Sequence, residues 1–134
     1  MIIFADREGV IRLWNAGAQA VFGYQPEEAI GQTLDLIVPE RLRERHWKGF
    51  RRVIATGVTR YGREELLAVP AIGKDGGRIS VEFSIVMLRD AAGELLGIAA
   101  ILRDVTQRWQ EQQQLRKRLA ALEAMSAPHR PGSA

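Results

Sequence analysis

Residues 79–87 allow few folds. Ile79, Val81, Phe83, Ile85 and Met87 alternate with Ser80, Glu82 and Ser84, and a side-chain period of two belongs to a strand with one face buried. Lys74-Asp75-Gly76-Gly77 precedes this run and Asp90-Ala91-Ala92-Gly93 follows it. Both stretches carry the turn chemistry that folds neighbouring segments back antiparallel. The strand-period run Leu66, Leu67, Val69 and Ile72 on one side, and the nearly continuous apolar residues 95–102 on the other, supply its two partners. A meander with one apolar face has to be covered, so the fold must be layered.

The first half of the chain provides the cover. Ile2, Ile3 and Phe4, the turn Asp6-Arg7-Glu8-Gly9, and Val10, Ile11, Leu13 and Trp14 read as an opening hairpin. Asn15 suits an N-cap for residues 16–22, with Ala18, Val21 and Phe22 on one side and Gly23 where a left-handed C-terminal residue belongs. Pro26-Glu27-Glu28 reads as the first turn of a second helix that Gly31 stops, and residues 33–38 as a further turn. Residues 40–55 form the clearest helix, closed by Thr56-Gly57. Leu42, His46, Gly49, Phe50 and Val53 share one stripe of it, which turns His46 inward, while Arg41, Arg43, Arg45, Lys48, Arg51 and Arg52 read mainly as a solvated face.

After the strands, Asp104-Val105-Thr106 opens an exit helix with Leu115, Leu119 and Leu122 at coiled-coil-like spacing and Trp109 on its amphipathic stripe. The seam covers barely two heptads, and Gln112 interrupts it. The expected organisation is a core over residues 1–104, an amphipathic signalling helix over 105–125 and a disordered tail over 126–134. The class is α+β: about five antiparallel strands in one sheet, short helices and one longer helix on one face, and the exit helix. In 134 residues there is room for one such domain.

Composition removes several chemistries. No cysteine is present, which excludes disulfides, thiolate metal sites, a cysteine nucleophile and any chromophore attached through sulfur. The net charge of +3 is small, and the cations lack interleaved aromatic residues, so nucleic acid is not expected. No apolar run approaches a membrane span, and the reading is cytoplasmic. Glu64 and Glu65 are adjacent on a strand and point to opposite faces, so they cannot share an acid–base site. No nucleophile triad, phosphate loop or HExxH motif appears, and the chain is not expected to be an enzyme.

Several stretches carry a family resemblance. Ile11-Arg12-Leu13-Trp14-Asn15-Ala16-Gly17-Ala18, Phe22-Gly23-Tyr24, residues 26–31, Lys74-Asp75-Gly76 and Arg103-Asp104-Val105-Thr106 occur in the order found in PAS domains, from about residue 1 to 110. The chain resembles that family, whose members are sensory and interaction modules. They bind haem, flavin or small metabolites between helices and sheet, or bind nothing, and signal through flanking helices. Flavin photo-adduct chemistry needs a cysteine and is excluded.

Residues 38–46 are similar to the corresponding stretch of direct-oxygen-sensor haem PAS domains, with His46 at the position of the proximal iron ligand. The resemblance implies a haem b pocket drawing on His46, Gly49, Phe50, Arg63, Ile85, Met87 and Ala100. Gly97, Ala99 and Ala100 leave room under the sheet. The distal methionine of that type has no counterpart around residues 61–67, where Arg63 or Tyr61 would serve instead. The alternatives are a ligand-free adaptor with a buried, hydrogen-bonded His46, and a non-covalent flavin or small-molecule sensor. Output would pass through the exit helix to a separate effector protein, and that helix is also the candidate for homodimerisation.

Overall fold

The computed structural model describes residues 1–57 and 67–126, the side chains of Leu67 and Ala68 excepted. It is an α+β structure built on one five-stranded antiparallel sheet. The strands are β1 (Ile2–Asp6), β2 (Ile11–Trp14), β3 (Leu67–Ile72), β4 (Arg78–Arg89) and β5 (Leu95–Asp104), in the spatial order β2-β1-β5-β4-β3. Between β2 and β3 run α1 (Ala16–Phe22), α2 (Pro26–Ala29), 3₁₀ turns at Leu34–Leu36 and Glu40–Leu42, and α3 (Arg43–Thr56). The exit helix is α4 (Thr106–Ser126).

The turns form because an aspartate side chain does the work of a missing backbone acceptor. Asp6 accepts from the amides of Glu8 and Val10, each at 3.0 Å. Asp90 accepts from those of Ala92 and Glu94, each at 2.9 Å. Gly9 and Gly93 close these two turns at φ 81° and 83°, a conformation costly for any residue with a Cβ. The helix signals act as read: Asn15 accepts from the Ala18 amide at 3.0 Å, and Gly23 and Gly57 end α1 and α3 in the left-handed region. The long helix begins three residues later than its sequence pattern, because residues 40–42 wind as a 3₁₀ turn.

Register decides which face is covered. Ile3 and Ala5 of β1 stand opposite Ala100 and Ile98 of β5 on the face that meets α1, α2 and α3. The larger core joins Ile3, Ile11 and Trp14 to Phe22 of α1, Ala29 of α2, and Val81 and Leu102. A smaller one joins Ala5 and Ile98 to Phe50 of α3. Among the described residues, no helix is long and apolar enough to cross a membrane.

Gly97 departs from its sequence reading. It does not leave space under the sheet: a Cβ there would lie 2.1 Å from the Ala5 carbonyl oxygen, so the glycine is what lets β1 and β5 approach. Ala99 lies on the uncovered face, whereas Ala100 faces the helices. Gly97→Ala should lower unfolding free energy by about 1–3 kcal/mol, since backbone atoms cannot yield. Gly49→Ala in α3, where a Cβ meets nothing within 4 Å, should raise it by about 0.5–1 kcal/mol. Urea unfolding of both variants checks the opposite signs.

Candidate functional site

The side chains that the sequence singled out gather where α3 crosses the inner face of β4 and β5. Ile85 and Met87 stand opposite Ala100 and Ile98 on the inner face, and both pack into the smaller core with Phe50. That core has only Ala5, Phe50 and Ile98 fully buried, ringed by the half-buried Leu34, Trp47, Val53, Ile54, Ile85 and Met87. The region is apolar and incompletely closed among the described residues. Ala100, opposite Ile85, packs against the larger core. Open surface hollows lie elsewhere, at the root of α4 and beside Gly23, and neither touches α3.

His46 lies one turn before Phe50, with ring centroids 6.1 Å apart, and meets Trp47 edge-on at 5.0 Å. Its Nδ1 is buried and has no hydrogen-bond partner among the described residues. No described residue therefore supplies the hydrogen bond to Nδ1 that the alternative reading of His46 calls for, and the connection over 58–66 lies outside the described residues. Burial pulls its pKa below the ordinary 6.5, opposed by the nearby Asp35 carboxylate. The imidazole is thus held neutral, the form that donates a lone pair to a metal. Among the described residues no three His, Cys, Asp or Glu side chains converge as a metal cluster.

Gly49 was read on the inward stripe, but the helix leaves it exposed with open space where a side chain would be. The face of α3 that packs on the sheet is centred on Trp47, Phe50 and Ile54, which turns Gly49 toward solvent. Arg63 and Tyr61, the distal readings, lie outside the described residues, as do Glu64, Glu65 and residues 127–134. The basic face of α3 is exposed as read, except that Arg43 is half-buried and donates to the Val38 carbonyl at 3.2 Å and to that of Asp35 at 3.4 Å.

Sequence reasoning missed the device that sets the angle of α3. Trp47 Nε1 donates to Asp35 Oδ1 at 2.6 Å. Its ring packs so tightly on the β1–β2 turn that a Cβ at Gly9 would fall 2.2 Å from it. The neighbouring His46 is positioned by this lock between three separate segments. A tryptophan beside an inward residue and an aspartate twelve positions earlier give no periodic signal, so only the fold unites them.

A protonatable group that burial keeps neutral makes stability depend on pH. The unfolded chain takes up this proton near pH 6.5 and the folded chain only at lower pH, so stability is present above that range and falls as pH drops through it. The urea midpoint should therefore decline between about pH 7.5 and about pH 5.5 in the wild type, and decline less in His46→Leu. Equal slopes in the two proteins would remove the linkage.

With this geometry in place, comparison with known proteins is informative. A family model described as PAS fold matches residues 1–110. The chain is 35% identical over 108 residues to an uncharacterized protein of Azorhizobium caulinodans, covering 80% of this chain and 14% of that protein. It is 27% identical over 127 residues to the Oxygen sensor protein DosP of Escherichia coli (94% and 15% covered). With the Sensor protein FixL of Bradyrhizobium diazoefficiens it shares 30% identity over 132 residues (94% and 25% covered). The chain thus spans about a seventh to a quarter of the curated relatives it matches. Among solved structures, the PAS domain of a Colwellia psychrerythraea protein superposes with a TM-score of 0.67 at 24% identity, over 79% of this chain and 86% of that one. An RNA-binding Light-Oxygen-Voltage receptor gives 0.68 at 22% identity, over 89% and 33%. Likeness at these identities shows the fold alone.

Proposed function

The chain belongs to the PAS family and is a PAS sensory module, and from that premise we propose that its ligand is a b-type haem with His46 as the axial protein ligand. The observation that carries this reading is the buried Nδ1 of a neutral imidazole, without a partner among the described residues, in a ring that lies against Trp47 and Phe50. A buried polar atom without a partner costs about 1–3 kcal/mol, and bonding to a metal relieves that cost. Haem iron already holds four porphyrin nitrogens, so a single protein imidazole suffices where no cluster of ligands exists. When bound, haem supplies an iron that takes up a diatomic gas or changes oxidation state.

The chain's own residues have separable tasks. His46 would hold the metal, and the Trp47–Asp35 bond fixes the part of α3 that carries it. Phe50, Ile85 and Met87 exclude water from one side. An oxygen sensor protein and a sensor protein among the relatives support a gas or redox signal.

The output path is covalent. β5 carries Ile98 and Ala100 at the site and runs through Asp104 and Val105 into α4. The root of α4 is fastened to β4: Ser80 accepts the Val105 amide at 2.8 Å, its own amide donates to Thr106 Oγ1 at 3.0 Å, and Arg78 stacks on Trp109 at 4.7 Å. A change at the inner face therefore reaches α4 through one strand, and α4 presents it to a separate effector protein. The module binds and relays; it does not catalyse.

Titration of the purified protein with haemin should give an intense Soret band that His46→Ala abolishes and added imidazole restores. A flavin spectrum from the protein as isolated, or no band on titration, overturns the haem reading in favour of a flavin sensor or a ligand-free adaptor.

A further inference from the structure

The outward side of α3 breaks the local rules of a stable helix. Arg45, Gly49, Arg52 and Thr56 recur at i, i+4, i+7 and i+11, so they form one stripe, and all four are exposed. Lys48 and Arg51 stand beside it, equally exposed. A glycine inside a helix lowers its stability. This one has no packing reason among the described residues, since a Cβ there would meet nothing within 4 Å. Like charges one turn apart repel, as Lys48 does Arg45, Arg51 and Arg52. Glu44 is the one carboxylate of the helix, and among the described residues no ion pair joins it or any other acid to these cations. Stability given up locally, with no return inside the molecule, marks a surface kept for something outside it.

We propose that this stripe docks an acidic helix of a separate protein, with carboxylates on Arg45 and Arg52 and the partner's backbone close against Gly49. Three features select that occupant. A guanidinium holds a carboxylate through two parallel N–H···O bonds, which makes an arginine pair a specific receiver of acidic side chains. Arg45 and Arg52 are two turns apart, about 10 Å along the axis, the interval at which a second helix repeats its own facing positions. The bare position between them lets the two axes come nearer than intervening side chains otherwise permit.

The face lacks what other polyanions need. Trp47 and Phe50 pack toward the sheet, so α3 offers no indole or phenyl ring on which bases could stack. None of the large apolar side chains that the described residues expose lies on α3, so nothing there would enter a lipid surface. The docking surface does not rest on the haem reading.

Fluorescence anisotropy of the full chain with a labelled Ala-based peptide of about 20 residues, long enough to be helical and carrying Glu at heptad spacing, tests it. The peptide should bind saturably at low salt and more weakly as salt screens the exposed charges. Arg45→Glu and Arg52→Glu should each raise the dissociation constant about tenfold or more. Gly49→Leu should do the same while raising the urea midpoint, because the added side chain blocks the approach and favours the helix. Arg116→Glu, which reverses the same charge at an exposed position of α4, should change binding by less than about twofold. Circular dichroism confirms that each variant is folded. Absence of saturable binding overturns the proposal, and so does a Gly49→Leu protein that binds like the wild type or an Arg116→Glu protein weakened as much as Arg45→Glu. Tighter binding of an oligothymidylate of equal charge, or of phosphatidylserine vesicles, assigns the face to another class of partner and overturns it as well.

Discussion

The pairing of β1 with β5 is the constraint on which the rest of the molecule depends. It joins the first strand of the chain to the last, from Ile2 opposite Ile101 to Asp6 opposite Gly97. The Met1 ammonium adds a bond to the Leu102 carbonyl at 3.0 Å, and the Leu102 amide returns one to the Met1 carbonyl at 2.8 Å. Without this pairing the molecule would be a two-stranded hairpin, marginal on its own, and a separate three-stranded meander. With it, everything between β2 and β3 has to cross one side of a continuous sheet. The larger core, the seat of α3 and the inward direction of His46 all follow.

Concentrating the helices on one side leaves the other bare, and the two faces then serve different ends. On the covered face, α3 is held by the Trp47–Asp35 bond and by contact with Gly9. The core beneath it is smaller and more open than the one under α1. On the bare face, apolar side chains stay exposed beside the root of α4. β5 belongs to both faces, with Ile98 and Ala100 toward α3 and Ala99 and Ile101 toward solvent. The same strand thus borders both faces and leads into α4.

Glu82 links these parts electrostatically. Its carboxylate, 12% exposed, accepts from both Arg103 and Arg108. Half-buried charges gain more from such pairing than freely solvated ones, because less water screens them. The contact joins β4, β5 and α4 at the root of the exit helix.

The sequence by itself determined whatever depends on neighbours a few residues away. Asp6 and Asp90 specify their turns, Asn15 and Gly23 the limits of α1, the alternation from Ile79 to Met87 the faces of β4, and the spacing of His46, Phe50 and Val53 the inward side of α3. Local hydrogen bonds and side-chain period encode these directly. The tertiary structure alone decided that Gly97 serves a close strand approach and that Gly49 faces outward. It also decided that Trp47 meets Asp35, and that Ile2, Leu13, Val86 and Ile101 form one exposed surface. Each of those depends on which distant segment lies opposite. That choice is made by the burial of whole faces and leaves no trace in the order of adjacent residues.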